Sequence, residues 1–217
     1  MFDFARARHM MVEGQLRTNE ITRPGIVGAM SELPRERFLP ASHRTLAYSD
    51  RETPIGENRL LPSPMVLGKL LSAADIQPGE FVLHIGCTTG YGTAIISRLA
   101  NSVVALEDND ILAQTATANL AALDASNVAV VVGPLSAGWP DEAPYDVIFI
   151  EGSVEELPVG LAGQLKDHGR LVAVLGSGRT GRGTVFRRAG DGLSGFPAFN
   201  AGAPILPGFE RRPSFVF

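Results

Sequence analysis

Cysteine, long apolar runs and charge are all scarce in this sequence of 217 residues. Cys87 is the single cysteine, which excludes a disulfide framework and a cysteine-ligated metal cluster, and no metal site is predicted. No apolar run approaches the roughly 18 residues of a membrane-spanning helix. The charged N-terminal residues are not followed by the apolar core of a secretory signal. We therefore expect no membrane contact and a cytoplasmic location.

The composition favours a globular protein without a nucleic-acid partner. Charged residues make up 19% of the chain and its formal net charge is −4, so no strongly basic surface is expected. Hydrophobic residues make up 45%, which argues against disorder. The length fits a single domain, in which we expect residues 1–78 to form a helical and loop extension on a core of residues 79–217. The oligomeric state is not predicted.

The clearest local pattern is a turn between two glycines that follows an apolar run. Residues 81–85 predict a buried strand, Gly86 and Gly90 a tight turn, and the apolar residues that follow a helix. A second apolar run ends at Glu107, about 20 residues beyond the first glycine. In nucleotide-binding sheets such a turn brings backbone N–H groups to the ligand, and such an acid binds the ribose hydroxyls. A strict fingerprint would have glycine in place of Thr88, which we expect to be strained if it needs a positive φ.

Predicted strands alternate with predicted helices over residues 81–175, which favours a parallel sheet with helices on both faces. Further strands are predicted at residues 103–106, 128–132, 145–150 and 170–175, and helices at residues 3–18, 24–33, 65–74, 110–123 and 158–165. Asp110 is the expected cap of its helix. A hairpin is predicted around residues 191–192, and a last edge strand at residues 214–217. The proline-containing residues 41–64 are expected to form an irregular loop, either functional or disordered.

Several short blocks follow one another in a recognisable order along most of the chain. They are residues 11–16 (MVEGQL), 33–40 (LPRERFLP), 47–50 (AYSD), 54–56 (PIG), 86–91 (GCTTGY), 143–146 (APYD) and 164–172 (QLKDHGRLV). Each block alone is weak, but their order and spacing resemble the protein-L-isoaspartate O-methyltransferase family. The resemblance implies a Rossmann-like α/β methyltransferase fold, with a mostly parallel seven-stranded sheet and an antiparallel C-terminal edge.

The resemblance also implies a reaction and a set of site residues. The cofactor would be S-adenosylmethionine, and the acceptor the free carboxylate of isoaspartyl residues in damaged proteins or peptides. The implied cofactor-binding residues are Gly86, Cys87, Thr88, Gly90, Tyr91, Glu107, Asp108, Gly133, Pro134 and Leu135. Arg59 and Ser63 are the candidate catalytic residues. Arg59 can pair with a carboxylate, and Ser63 offers a hydroxyl one residue from the family's serine position.

The chain departs from the family pattern around this implied site. In the acceptor loop Leu60 stands where the family has threonine, and Pro62 where it has its active-site serine. On the cofactor side His84 replaces an acid, Thr88 replaces the middle glycine, and Pro134 replaces the acid near the adenine. Each lost hydrogen bond to a charged group costs roughly 1.5–3 kcal/mol. We therefore expect a divergent acceptor site.

Three functions stay open at this point. The chain is a repair methyltransferase, a methyltransferase with a different acceptor, or a degenerate family member that acts as a binding or regulatory protein. Methyl transfer to a carboxylate needs no general base, because the carboxylate is ionised at neutral pH. The lack of an obvious catalytic histidine or cysteine therefore excludes none of them. We expect His84 to be a satisfied buried histidine, and Cys87 a packed thiol rather than a nucleophile.

Overall fold

The computed structural model describes residues 2–177, 180–190 and 192–211. Its helices are Phe4–Met11 (α1), Pro24–Glu32 (α2), Pro64–Ala74 (α3), Tyr91–Ser97 (α4), Asp110–Ala121 (α5) and Gly160–Gly163 (α6). Its strands are Thr53–Gly56 (β1), Arg59–Leu61 (β2), Phe81–Ile85 (β3), Ser102–Glu107 (β4), Val128–Val132 (β5), Tyr145–Val154 (β6), Leu165–Ser177 (β7), Thr180–Ala189 (β8) and Gly192–Ala201 (β9). Within the described part of the chain, no helix is long and apolar enough to cross a membrane.

Seven strands form one sheet in the order β5-β4-β3-β6-β7-β8-β9. Strands β3 to β7 pair in parallel, and β8 and β9 add an antiparallel edge. The predicted α/β class, the seven strands and the antiparallel C-terminal edge are confirmed. The chain runs outward from β3 to β5 and then returns to β6 on the other side of β3. Ligands of open α/β sheets bind at such a switch point, outside the carboxyl ends of the strands.

The central strands are buried on both faces, as their apolar runs predict. On β3, Val82 packs in the cluster beneath α3 and α4, whereas Leu83 and Ile85 pack in a second cluster on the opposite face. His84 is fully buried, and the alternation of a strand puts it on the same face as Val82. The sheet thus presents its carboxyl edge as a rigid support for the residues that follow β3, β4 and β6.

The first helix is shorter than the predicted helix over residues 3–18. Helix α1 ends at Met11, and the chain continues as a π-helical turn over Val12–Leu16 and a 3₁₀ turn over Arg17–Asn19. Met11 and Leu16 are both buried and stand five residues apart. The wider turn closed by i→i+5 hydrogen bonds brings residues five apart closer to one face than the 3.6-residue period on which the prediction depended.

Residues 41–64 contain regular structure where an irregular loop was predicted. A 3₁₀ turn covers Ala41–Leu46, and β1 pairs with β2 as an antiparallel hairpin. The connecting residues Glu57 and Asn58 have φ angles of 52° and 56°, in the region that hairpin turns usually fill with glycine or asparagine. Without a glycine in the turn itself, and with strands this short, the hairpin gives little signal in sequence. It carries Arg59 to the carboxyl edge of the sheet.

Several other element boundaries differ from the predicted ones, and β6 and β7 both extend beyond the predicted strands 145–150 and 170–175. Asn109 rather than Asp110 caps α5, because its Oδ1 accepts hydrogen bonds from the backbone N–H groups at positions 111 and 112. Helix α6 is a single turn instead of a helix over residues 158–165. The C-terminal hairpin of β8 and β9 is confirmed and is longer than predicted. The strand predicted at residues 214–217 lies outside the described residues.

Residues 203–209 cover the carboxyl end of β6. Ser153 N donates to Pro204 O (2.7 Å), and Leu206 N donates to Ser153 O (3.0 Å). Leu206 and Phe209 are buried in the same apolar cluster as Leu83. These contacts hold Leu206 against the ends of the central strands, beside the turn that follows β3.

Arg35 joins the N-terminal region to the hairpin from a fully buried position. Its Nε donates to Ala47 O (2.8 Å), and its Nη2 donates to Pro62 O (2.5 Å). Its guanidinium carbon lies 4.8 Å from the ring centroid of Tyr91. This side chain therefore fixes the backbone on both sides of the hairpin to the first residue of α4.

Replacement of Arg35 by methionine is expected to leave the carbonyls of Ala47 and Pro62 buried without a donor. The free energy of unfolding should fall by roughly 2–5 kcal/mol, which urea denaturation followed by circular dichroism measures. Arg37→Met, on the exposed side of the same 3₁₀ turn, is the matched control and should change it by less than about 0.5 kcal/mol. Equal losses in the two variants would contradict the role of Arg35.

Candidate active site

The predicted glycine turn forms at the carboxyl end of β3. Gly86 and Gly90 have φ angles of 77° and 95°, which glycine adopts without steric cost. Gly90 N donates to Cys87 O (2.9 Å), and Gly86 N donates to Leu106 O (2.9 Å), which ties the turn to β4. Thr88 has a φ of 52°, so the positive φ on which the predicted strain depends is present. Its buried Oγ1 has no hydrogen-bond partner among the described residues.

The carboxylate of Glu107 is surrounded by donors at the end of β4. Its Oε2 accepts from Thr88 N (2.7 Å) and Arg59 Nη2 (3.2 Å), and its Oε1 accepts from Arg59 Nη1 (2.5 Å) and Asp108 N (3.1 Å). A carboxylate has about four acceptor positions, so donors of the same chain fill all the acceptor positions of Glu107. Burial raises the pKa of Glu107 to about 7, and the positive charge of Arg59 acts in the opposite direction.

Arg59 is the internal partner of Glu107. It begins β2, and its side chain is only 7% exposed. Besides the two bonds to Glu107, its Nη1 donates to Asp108 Oδ1 (2.8 Å). The sequence suggested that Arg59 meets the carboxylate of an acceptor, but the structure pairs it with two carboxylates of the same chain. Asp108, which is a predicted cofactor residue, therefore completes the ion pair in this conformation.

Leu206 occupies the space directly above the glycine turn. A Cβ atom built on Gly86 would lie 2.9 Å from Leu206 Cδ1 and 3.3 Å from Arg59 Nη2, and one built on Gly152 would lie 2.5 Å from Leu206 Cγ. The cavity that remains beside them has a volume of about 260 Å³, below the roughly 300–1,000 Å³ of ligand pockets. It is lined by Glu57, Asn58, Arg59, Leu60, Glu151, Pro204, Ile205, Leu206, Pro207 and Glu210.

The fit of the implied cofactor to this site is therefore only partial. The groups that would bind the ribose are present, namely the carboxylate of Glu107 and the turn of residues 86–90. The side chains of Arg59 and Leu206 lie beside Gly86, above the turn, and line the adjacent cavity of about 260 Å³. In this conformation they narrow the space next to the groups that would bind the ribose.

A buried polar cluster lies beside the turn, between β3, α4 and β6. His84 Nδ1 forms a hydrogen bond of 2.9 Å with Thr93 Oγ1. His84 Nε2 lies 3.1 Å from Glu151 Oε2, but this second contact lacks the geometry of a hydrogen bond. A Cβ atom on Gly92 would lie 1.8 Å from Glu151 Oε2, so a larger residue there would displace the Glu151 carboxylate. His84 is buried as predicted, but it is only half satisfied, because its Nε2 has no hydrogen-bond partner among the described residues. Glu151 was overlooked as a site residue, although an acid at the carboxyl end of a central strand is the signal that identified Glu107.

The remaining predicted cofactor residues occupy three places. Cys87 is buried, and burial raises the pKa of its thiol well above the ordinary value, which fits a packed thiol. Tyr91 begins α4 and is buried against Arg35. The three residues after β5 are Gly133, which is half-buried, Pro134, which is exposed, and Leu135, which is buried. Their roles in binding stay predictions.

Ser63 caps helix α3. Its Oγ accepts from Val66 N (3.3 Å) at the start of that helix. Pro62 before it is buried, and its carbonyl accepts from Arg35. Leu60 is half-buried within β2. The catalytic role of Ser63 stays a prediction, because the contact that the structure gives its hydroxyl is the cap.

Ser63→Ala tests whether the cap is the main task of this hydroxyl. Loss of an N-cap is expected to lower the free energy of unfolding by about 1 kcal/mol, measured by urea denaturation. Ser63→Thr keeps the capping oxygen and should recover most of this loss. An alanine variant as stable as the wild type would show that the cap contributes nothing.

Thr88→Gly is expected to stabilise the protein. Relief of the left-handed conformation gains about 1–2 kcal/mol, and the greater freedom of glycine in the unfolded chain returns about 0.4–1 kcal/mol. The expected net gain is about 1 kcal/mol in the free energy of unfolding, again from urea denaturation. Thr89→Gly is the control and should destabilise, because the Thr89 hydroxyl donates to Phe38 O (2.8 Å). A loss of stability in Thr88→Gly would contradict the strain.

Comparison with known proteins gives consistent matches. The family model described as Protein-L-isoaspartate(D-aspartate) O-methyltransferase (PCMT) matches residues 6–200. Protein-L-isoaspartate O-methyltransferase 1 of Rhodopseudomonas palustris (strain HaA2) is 38% identical over 182 residues, which are 84% of this chain and 74% of that protein. Protein-L-isoaspartate O-methyltransferase of Methylorubrum extorquens (strain PA1) is 35% identical over 210 residues, 95% of this chain and 91% of that protein.

A solved structure confirms the likeness in three dimensions. The structure of a protein-L-isoaspartate O-methyltransferase superposes with a TM-score of 0.79 at 26% identity, over 93% of this chain and 66% of that chain. Together, these matches support the methyltransferase interpretation over the non-catalytic alternative. The family model covers most of the chain. The chain therefore belongs to the protein-L-isoaspartate(D-aspartate) O-methyltransferase family.

Proposed function

We propose that this protein transfers a methyl group from S-adenosylmethionine to the free carboxylate of isoaspartyl residues in proteins or peptides. One observation carries the proposal: in a chain of this family, Glu107 follows the apolar part of β4 directly beside the glycine turn after β3. An acid in this place binds ribose hydroxyls in nucleotide-binding sheets. The reaction is a repair step for damaged proteins, and we propose the cytoplasm as its location.

The proposed reaction needs alignment more than acid–base chemistry. S-adenosylmethionine supplies a methyl group on a positively charged sulfur. An isoaspartyl carboxylate has a pKa near 4 and is ionised at neutral pH, so no residue has to remove a proton from it. Alignment of the reactants contributes roughly 7–11 kcal/mol in well-oriented reactions. The buried His84 and the raised thiol pKa of Cys87 are consistent with a reaction that uses neither as a base or a nucleophile.

Exclusion of water is the contribution that this chain's residues make most directly. The hairpin of β1 and β2 and the segment of residues 203–209 cover the carboxyl end of the sheet from two sides. Beneath them Glu107 is 0% exposed and Thr88 is 1% exposed. A site closed in this way strengthens each charge interaction inside it. Arg59 can meet an acceptor carboxylate only after it exchanges its present partners.

Two peptides of one sequence test the reaction, one with an isoaspartyl residue and one with a normal aspartyl residue. With S-adenosylmethionine labelled on its methyl group, label is expected on the isoaspartyl peptide alone, as a base-labile ester. Glu107→Gln should lower the rate by about one to two decades, since it removes a charged hydrogen-bond acceptor. Glu156→Gln, at an exposed position, is the control and should leave the rate unchanged.

The same assay distinguishes the acceptor from the cofactor. A folded protein that binds S-adenosylhomocysteine in a calorimeter, yet labels neither peptide, would refute the isoaspartyl acceptor. Equal labelling of both peptides would refute the specificity for the damaged residue.

A further inference from the structure

We propose that the side chain of Arg59 is an internal occupant of the ribose position, and that it has to leave Glu107 before the cofactor binds. The inference rests on the proposed function, because it concerns the cofactor of that reaction. It follows from three separate observations. Glu107 already accepts four hydrogen bonds, Arg59 and Leu206 fill the space above Gly86, and the turn of the hairpin that carries Arg59 has left-handed φ angles.

The first observation is the set of donors around Glu107. Two backbone groups, Thr88 N and Asp108 N, and the two terminal nitrogens of Arg59 occupy its four acceptor positions. Ribose hydroxyls would bind the same oxygens as donors. The backbone donors are fixed by the fold, so Arg59 is the donor that a ribose would displace.

The second observation is the space above the glycine turn. Arg59 Nη2 and Leu206 Cδ1 lie 3.3 Å and 2.9 Å from the position of a Cβ atom on Gly86. Both side chains also line the adjacent cavity of about 260 Å³. Withdrawal of Arg59 would therefore join the volume of its guanidinium to that cavity and open a continuous space along Glu107.

The third observation is the tip of the hairpin that carries Arg59. Gly56, Glu57 and Asn58 have φ angles of 99°, 52° and 56°, three consecutive residues in the left-handed region. This conformation is unfavourable for a glutamate, so the tip is held in place by contacts beyond it. The contacts of Arg59 with Glu107 and Asp108 are the strongest of these. When Arg59 leaves, the tip can relax to an ordinary conformation while α3 keeps its cap at Ser63.

Calorimetric titration of the full-length protein with S-adenosylhomocysteine tests this inference. Arg59→Ala is expected to bind at least about tenfold more tightly than the wild type, because no charged hydrogen bonds have to be broken first. Arg51→Ala, an exposed arginine just before the same hairpin, is the control and should bind like the wild type. The double variant Arg59→Ala with Glu107→Gln should not show this increase in affinity, which would show that the increase depends on the Glu107 carboxylate.

A second variant protects the test against a folding defect. Leu206→Ala keeps the ion pair and enlarges the space above Gly86, so its affinity should also rise, by a smaller factor than for Arg59→Ala. Thermal unfolding without ligand shows whether each variant is folded. If Arg59→Ala does not fold, Arg59→Gln, which shortens the side chain and removes its charge, is titrated in its place, and an affinity no higher than that of the wild type overturns the inference.

The possible failures are distinguishable. If the wild type binds as tightly as Arg59→Ala or more tightly, Arg59 does not compete with the cofactor, and the proposed methyl transfer stands without this inference. If the wild type and both folded variants show no heat at millimolar ligand, the proposed function itself fails, and this inference fails with it.

Discussion

The buried ion pair between Arg59 and Glu107 is the constraint on which the site depends. Removal of two charges from water costs several kcal/mol per ion, and only excellent geometry offsets that cost. Here the geometry is bidentate, with N–O distances of 2.5 Å and 3.2 Å, and Thr88 N and Asp108 N complete the shell of the carboxylate. One interaction thus fastens the hairpin, the end of β4 and the glycine turn to one another. A change in any one of these segments therefore alters the contacts of the other two.

Two further buried arginines hold the segments on either side of that pair. Arg35 binds the carbonyls of Ala47 and Pro62, and so fixes the chain before and after the hairpin. Arg170 on β7 donates to the carbonyls of Ala74 and Asp75 at the end of α3, and pairs with Glu80.

The two anchors determine where the structure can move. With its first turn capped by Ser63 and its last residues held by Arg170, α3 is fixed at both ends. Within the described part of the chain, the tip of the hairpin has no comparable backbone anchor, and the contact from Asn109 Nδ2 to Glu57 Oε2 is long at 3.4 Å. These contacts therefore hold the base of the hairpin to the core more firmly than its tip.

The sequence predicted the sheet well because burial on both faces leaves a clear pattern. Val82, Leu83 and Ile85 are apolar because β3 is buried on both faces, and an apolar run shows this in the sequence. The glycine turn and Glu107 were found by the same route, since each follows an apolar run at a fixed distance. The hairpin could not be found in this way, because it is short and its turn, Glu57 and Asn58, has left-handed φ angles without a glycine.

The contact between Arg59 and Glu107 was beyond the sequence for a different reason. The two residues stand 48 positions apart, and each has an obvious external partner in the proposed reaction, an acceptor carboxylate for one and a ribose for the other. Residue types alone indicate which groups attract each other, but not whether the partner lies inside the chain. The position of Leu206 was not predicted either, because nothing about an apolar residue in a proline-rich segment indicates in the sequence that it packs over the end of β6.

The departures from the family pattern have unequal consequences, and the difference is physical. At Thr88 the group that contacts Glu107 is the backbone N–H, so a threonine in place of glycine adds strain without removing the bond. At Leu60 and Pro62 the family's hydroxyls are absent from the side chains altogether. Substitution has therefore preserved a contact made by a backbone group at Thr88, and has removed side-chain groups at Leu60 and Pro62 in the acceptor loop and at His84 and Pro134 on the cofactor side. Arg59 lies in the changed acceptor loop and binds the retained Glu107, so its side chain links the two parts of the site.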